Sequence, residues 1–418
     1  MPSGGDGAPL RPRRGGAVVF GVVGAPAVLD PYSEQASDLT RALVRPLYPS
    51  LYRFRPDGST EAYLARSLAQ SAGRTAVTLR RARWSDGTPI TARDVALSAR
   101  RASAPSGLAA FDDVRATGVR TLELRGRVGD IERALATAAF VLPSGVAGRR
   151  FGGPFRVASY RPGLEVVYEV NSTWWGARPY LRRVTVRFVQ SLEQLMLLLE
   201  EGRLDAAAPP STVNLEDTIE GPITTRGALG WESVVLDFSG SELRRAERAA
   251  VARGLDRGAI EEVFVRSDGR LAGTVRPGPG PSGAQGPWPG ALGRTRRPSE
   301  TVDLSAPAGD SLLELVRRAA YTQLSGRGIE VDAVTVDPTT FYGSWAVGAD
   351  TDVAVRRRIG GPPWHRVSEN GRSLEAFPLF QVETFVAWRP GIRGLVPNPT
   401  LEGPLWNVER WWRTPRGG

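Results

Sequence analysis

The stretch that most constrains this chain is Trp84 to Val95, which reads Trp-Ser-Asp-Gly-Thr-Pro-Ile-Thr-Ala-Arg-Asp-Val. It forces a strand end, a tight turn and a capped helix into one short run. Upstream, Thr75 to Trp84 alternates with period two, so Ala76, Thr78, Ala82 and Trp84 are expected on the buried face, with Arg81 and Arg83 on the other. Asp86-Gly87 supplies a turn in which glycine takes backbone angles that other residues avoid, and Pro89 stiffens the exit. Thr91 then opens a helix. Its hydroxyl is placed to accept from the amide near Asp94, whose charge suits the positive helix start.

Around that corner the chain has room for two or three domains, with 418 residues, 41% hydrophobic and 23% charged, the balance of a soluble globular protein. No window approaches the roughly eighteen apolar residues that a membrane-spanning helix needs. Met1 to Gly16 is polar, Gly-rich and Arg-rich rather than a signal peptide, and its opening reads like the flexible tether that follows a lipoprotein cleavage site. The expectation is an extracytoplasmic protein, held in its native form by a lipid anchor that this chain does not carry. Without cysteine there is no disulfide, thiolate metal site or cysteine nucleophile. The formal charge is +10 and all 54 basic residues are arginine, scattered over every segment rather than massed with aromatics, so no nucleic-acid partner is expected.

Along the chain, Ala17 to Val23 is an apolar run suited to a buried parallel strand, ended by the turn Leu29-Asp30-Pro31-Tyr32. Asp38 to Leu51 reads as a helix broken at Pro46 and Pro49, Val119 to Leu124 as hairpin-like, and Asp130 to Ala139 as a helix. Gly152-Gly153-Pro154-Phe155-Arg156-Val157, Tyr160 and Leu164 to Val170 argue for paired strands, followed by Asn171, Trp174 and Trp175. Leu181 to Phe188 is a further strand. Ser191 with Gln194 forms a capping box over a helix whose Leu192, Leu195, Leu198 and Leu199 make one stripe, ended by Gly202. Trp231 to Phe238 is a strand, Leu243 to Arg253 a helix stopped by Gly254, and Gly273 to Pro298 a Pro- and Gly-rich loop around Trp288. Val302 to Leu304, Ser311 to Leu324 and Gly328 to Val331 then give strand, helix, strand, a unit that wants a parallel sheet.

These blocks, in this order, resemble the peptide-type (family 5, cluster C) solute-binding proteins of ABC importers. The resemblance is carried by the Trp84 to Val95 run, the Gly-Gly-Pro-Phe strand with Asn171 and Trp174-Trp175, and Glu201-Gly202-Arg203-Leu204-Asp205. Further support comes from Leu255-Asp256-Arg257-Gly258-Ala259-Ile260 and from the closing segments Leu379 to Trp388, Gly391 to Leu395, Pro397 and Trp406-Asn407-Val408. It is collinear from about Gly15 to Trp412. Two departures mark a shortened, divergent member: the stretches from Ala102 to Gly152 and from Asp352 to Phe377 are shorter than usual, and Arg356, Arg357 and Arg358 stand where a cleft aromatic is expected.

The resemblance implies a two-lobed α/β fold with mixed sheets and a hinge. Residues 1–14 would form the tether, 15–237 with the returning 377–418 the first lobe, and 238–376 the second. It implies a monomer that captures a peptide or similar small solute between the lobes and delivers it to a permease, with no catalytic residue, metal or cofactor. Candidate ligand contacts are Tyr32, Ser33, Glu34 and Asp38 after the first strand, Trp231 near the crossing, Trp288 in the loop, and Arg356 and Arg358, which share one strand face. A carboxylate such as Glu34 or Asp38 would meet a ligand amine and the arginines its carboxylate; a solvated basic strand end is the other reading of those arginines. The lone histidine, His365, stands near Ser368 and Glu369, too sparse a set to argue for catalysis. The competing expectation is a repurposed scaffold that acts as a pathway enzyme or interaction module without transport.

Overall fold

The computed structural model describes residues 11–33, 36–71, 73–102, 106–126, 128, 130–144, 150–209, 225–238, 241–260, 275–277, 294–308, 310–336, 341, 351–358, 374, 376–398, 400 and 402–414. Beside a separate four-stranded sheet of Ala65–Ser71, Arg74–Leu79, Asp113–Ala116 and Thr121–Arg125 and two small two-stranded ones, one eleven-stranded sheet spans the chain among these residues. In chain order its strands are β1 (Ala17–Val23), β2 (Phe155–Arg161), β3 (Glu165–Val170), β4 (Arg183–Val189), β5 (Ala206–Ala208), β6 (Thr225–Asp237), β7 (Val275–Pro277), β8 (Val302–Pro307), β9 (Val331–Val336), β10 (Val353–Arg358) and β11 (Ala376–Trp388). Their spatial order is β9-β8-β10-β6-β11-β5-β1-β4-β3-β2, with β7 added on β11. β1 runs parallel to β4 and β5, and β8 parallel to β9 and β10; the other pairings are antiparallel. The sheet is mixed, as the family resemblance implies.

The two largest hydrophobic cores among the described residues flank the middle of this sheet. The first takes Val18 and Phe20 of β1, Tyr168 of β3 and Val186 of β4, and it is completed from the far end of the chain by Ile392, Leu395, Leu405, Val408 and Trp411. The second is built from a continuous stretch, from Val234 on β6 to Phe380 on β11. β6 and β11, each 13 residues long, run side by side from one core to the other.

Helices among the described residues include α1 (Asp38–Val44), α2 (Ala92–Arg101), α3 (Ile131–Ala136), α4 (Leu192–Glu200), α5 (Arg245–Arg253) and α6 (Ser311–Gly326). Side-chain caps explain where several begin. Ser191 Oγ accepts from the Gln194 amide at 3.2 Å and opens α4, Asp130 accepts from Arg133 to open α3, and Asp310 accepts from Leu313 to open α6. On α4 the buried residues are Leu192, Leu195, Met196, Leu198 and Leu199, packed with Leu204, Ala207 and Ala387. Each leucine buried in this way contributes about 1.5–3 kcal/mol relative to an exposed one. Gly202, at φ 71°, takes the left-handed turn that lets the chain leave α4 and enter β5. α6 joins β8 to β9 and buries Leu312, Leu313, Val316, Ala320 and Leu324, giving the expected parallel unit, but its second strand is Val331–Val336 rather than Gly328 to Val331, of which Gly328 to Glu330 only lead into it.

The Trp84 to Val95 corner forms as expected, with one correction upstream. In the strand Arg74–Leu79 the buried residues are Thr75, Val77 and Leu79, not Ala76 and Thr78. The strand ends at Leu79, and exposed Arg80 and Arg81 shift the alternation by one, so that Ala82 and Trp84 return to the inside. The Asp94 carboxylate, itself buried, accepts both the Thr91 amide and the Thr91 hydroxyl at 2.8 Å and the Ser144 amide at 3.1 Å, tying α2 to the loop beyond residue 142. α1 ends at Val44, before Pro46 rather than at Leu51, and the segment beyond is a turn. Gly254 caps α5 without a left-handed backbone, at φ −66°.

Candidate functional site

The register fixes which end of the first core faces the second. β5 pairs antiparallel with the end of β11, Ala206 with Trp388 and Ala207 with Ala387. Following β5 forward therefore follows β11 back towards Ala376 and the second core. Since β1 and β5 are parallel to each other and β1 to β4, the carboxyl ends of all three strands point at the region between the cores. Ligands of open α/β sheets gather outside the carboxyl ends of such strands.

The floor of that region is the middle of β6 and β11. β6 begins against the first core, Thr225 opposite Trp388, and ends in the second, Asp237 opposite Ala376; Trp231 sits between, opposite Glu383. The pairing slips between Ala228 and Gly230, a bulge that bends a strand and increases its twist. On the other edge of β11, β5 covers Ala387 and Trp388 while β7 covers Phe380 to Val382. Among the described residues, no strand pairs with Glu383 to Val386 on that edge.

Tyr32 follows the carboxyl end of β1. Its hydroxyl donates to the Phe140 carbonyl at 2.7 Å and lies 3.4 Å from the Ala138 carbonyl and from Ser106 Oγ. Burial raises its pKa beyond the usual phenol range, so it stays protonated and donates. Ala138 holds a left-handed backbone at φ 44°, unusual for a residue with a side chain. The turn beneath is fixed by Asp30, which accepts the Tyr32 amide at 3.1 Å and pairs with Arg101 of α2. The Ser33 carbonyl accepts from Ala36 at 3.0 Å, leading into the Ser37 cap of α1. Thus Tyr32 and Ser33 are placed at the carboxyl end of β1, with the Tyr32 phenol anchored into the first core. Asp38 is the first residue of α1. Glu34 and Trp288 lie outside the described residues, as does His365.

Arg356 lies on β10 opposite Val235 of β6, and its Nη1 donates to Asp237 Oδ2 at 3.1 Å. The pair is buried, with side-chain exposures of 10% and 1%. Asp237 was not singled out from the sequence. A signal was available: it is the lone charge closing the run Val234-Val235-Leu236, where a buried carboxylate needs a cation. Arg358 pairs through its backbone with Ser233, nearer the middle of β6 than Arg356. The structure thus brings Trp231, Arg356 and Arg358 together along the second-core half of the crossing strands, while Tyr32 and Ser33 stand on the first-core side. Among the described residues no group of three or more histidine, aspartate and glutamate side chains is placed to hold a metal ion. No helix among them is long and apolar enough to cross a membrane.

Residues 150–309 match the family described as bacterial extracellular solute-binding proteins, family 5 middle. Among curated proteins, the chain is 28% identical over 261 residues to the oligopeptide-binding protein OppA of Mycobacterium tuberculosis (strain H37Rv), covering 53% of this chain and 44% of that relative. The chain thus spans less than half the length of that relative. Among solved structures it is similar to AppA from Bacillus subtilis in complex with a nonapeptide, with a TM-score of 0.76 at 16% identity over 97% of this chain and 100% of that one. It is also similar to DppA from Helicobacter pylori in complex with the peptide STSA, with a TM-score of 0.72 at 14% identity over 96% and 98%. These neighbours share the two-lobed periplasmic binding fold.

Proposed function

On the match of residues 150–309 to the family 5 solute-binding proteins and the likeness to OppA and AppA, we propose that the chain is a divergent member of that family, that it captures a peptide or a similar small solute between two lobes outside the cytoplasm, and that it presents it to an ABC permease. The observation that carries this reading is the pair of long strands, β6 and β11, that links two separate cores at the carboxyl ends of β1, β4 and β5. We assign residues 15–237 and 377–418 to the first lobe and 238–376 to the second. Bending of the crossing strands would close one lobe on the other and exchange the ligand's water contacts for protein hydrogen bonds.

The chemistry of the crossing supports an extended, carboxylate-bearing ligand. The edge of β11 from Glu383 to Val386 offers backbone donors and acceptors to an extended chain. Arg356 is buried and balanced by Asp237, so the positive charge for a ligand carboxylate at the second-lobe end falls to Arg358. Among the similar proteins, OppA is an oligopeptide-binding protein, AppA is in complex with a nonapeptide and DppA with the peptide STSA.

Titration of the protein's 11 tryptophans by fluorescence, with pooled di- to pentapeptides and separately with pooled sugars and small cations, tests the reading. A saturable change with the peptide pool supports it, and Arg358→Ala should then weaken binding by about tenfold. Silence with every pool, together with unchanged thermal stability, would remove capture and favour a repurposed scaffold. Affinity unchanged by Arg358→Ala would remove that residue's role.

A further inference from the structure

We propose that the first lobe carries a second small-molecule pocket, remote from the crossing strands, that takes a planar aromatic carboxylate. The pocket is a cavity of 520 Å³ between the chain entering β1, the Trp174 to Tyr180 segment entering β4, Tyr63, and the C-terminal residues around Glu409. A hydrogen bond from the Gly15 amide to the Tyr180 carbonyl, 2.7 Å, clamps the two entering segments together. Because these segments precede β1 and β4, the pocket lies at the amino ends of the strands whose carboxyl ends face the second lobe. The seven residues of β1 separate the two ends by roughly 20 Å.

Its lining has a definite chemistry. Trp174 and Trp175 stand with ring centroids 4.2 Å apart, and Tyr63 lies 5.2 Å from Trp175 and 5.9 Å from Trp174, so one wall is aromatic. The Nε1–H groups of both indoles are buried and have no hydrogen-bond acceptor among the described residues, so the rings present their carbon faces and edges to the cavity. Arg53 stacks on Tyr63 at 4.6 Å and lies 3.7 Å from Glu409, so the one carboxylate of the lining is already neutralised. Arg14 and Arg178 stand exposed at the lining, and neither has an ion-pair partner among the described residues.

Each of these features narrows the ligand. A wall of tilted aromatic rings favours a flat π-system, and unneutralised guanidinium groups demand an anion. A cation would meet Arg14 and Arg178 and find Glu409 occupied. The volume is within the roughly 300–1,000 Å³ of small-molecule sites, ample for one or two fused rings.

Isothermal titration of the full chain with indole-3-carboxylate and 1-naphthoate tests the proposal. The expected result is saturable one-to-one binding that weakens by roughly tenfold or more in the Arg14→Ala/Arg178→Ala double variant. It should persist in Arg358→Ala and in the presence of excess pooled peptides. Trp175→Leu should abolish it; if that variant does not fold, the double variant decides, since both arginines are exposed and hold no structural partner. Absence of binding by titration and by ligand-observed NMR would overturn the proposal. So would binding that survives the double variant, or that is lost with Arg358→Ala or displaced by peptides, since either of the latter would place the probe at the crossing strands.

Discussion

The two cores are closed in different ways. The second is made from one continuous stretch and is sealed mainly by apolar side chains such as Phe238, Leu313 and Phe380. The first needs both ends of the chain, and its late-arriving segment is fastened by charge as well as by packing. Arg45 meets Glu402 at 3.3 Å with side-chain exposures of 4% and 3%, and Glu402 also accepts the Phe54 amide at 3.1 Å. Arg53 bridges Glu61 of its own hairpin to Glu409, and Arg413 reaches Asp205 at 2.7 Å. The difference teaches why the C-terminal residues carry charges in register with the first core. A segment that must return to a body begun nearly 400 residues earlier is helped by pairings that only the correct docking satisfies, a role best attested for buried polar groups that set register.

That contrast can be broken most forcefully at Glu402. Glu402→Ala takes the buried carboxylate away from Arg45 and from the Phe54 amide and should cost about 3–5 kcal/mol, read by urea unfolding, with hydrogen exchange rising in residues 18–208 and 386–411 and little changed in the second core. Exchange that rises equally in both cores would mean that they unfold as one unit. The mirror experiment is Leu313→Ala, a fully buried residue of α6, expected to cost about 2–5 kcal/mol and to loosen residues 234–380 first. A smaller effect, about 1–3 kcal/mol, is expected from Gly153→Ala. An added Cβ there would lie 2.3 Å from the Pro46 carbonyl oxygen, a backbone atom that cannot easily retreat.

The smallest effect concerns pH and the second lobe alone. Partial desolvation of the exposed Asp303 on β8, reinforced by the nearby Asp352 and Asp332, raises its pKa above the usual carboxylate value. With the folded value above the unfolded one, the native state binds the proton more tightly, so stability falls as pH rises through the folded value. Asp303→Asn should therefore raise Tm slightly near neutrality and lose that advantage in acid. A variant less stable at neutral pH would contradict this assignment.

Much of the fold was legible because its signals are local. Ser191 with Gln194 announces α4, Gly202 its exit, and the apolar periodicity of Ser311 to Leu324 announces α6. Failures arose where the deciding contact is distant or the chain breaks its own rhythm. Nothing near Thr75 signals that Arg80 and Arg81 will reset the inside-outside alternation. The partner of Arg356 is 119 residues away, and the ring of Tyr63, Trp174 and Glu409 joins three segments that no spacing rule relates. The Trp174-Trp175 doublet and the isolated Glu409 beside Trp411-Trp412 were the visible traces of that pocket.

The central claim is that two lobes joined by β6 and β11 close on a captured solute. Small-angle X-ray scattering, with and without the peptide pool at saturation, addresses it most directly. The account predicts a smaller radius of gyration when ligand is bound, reversed by dialysis; an unchanged radius at demonstrated saturation would contradict closure about the crossing strands.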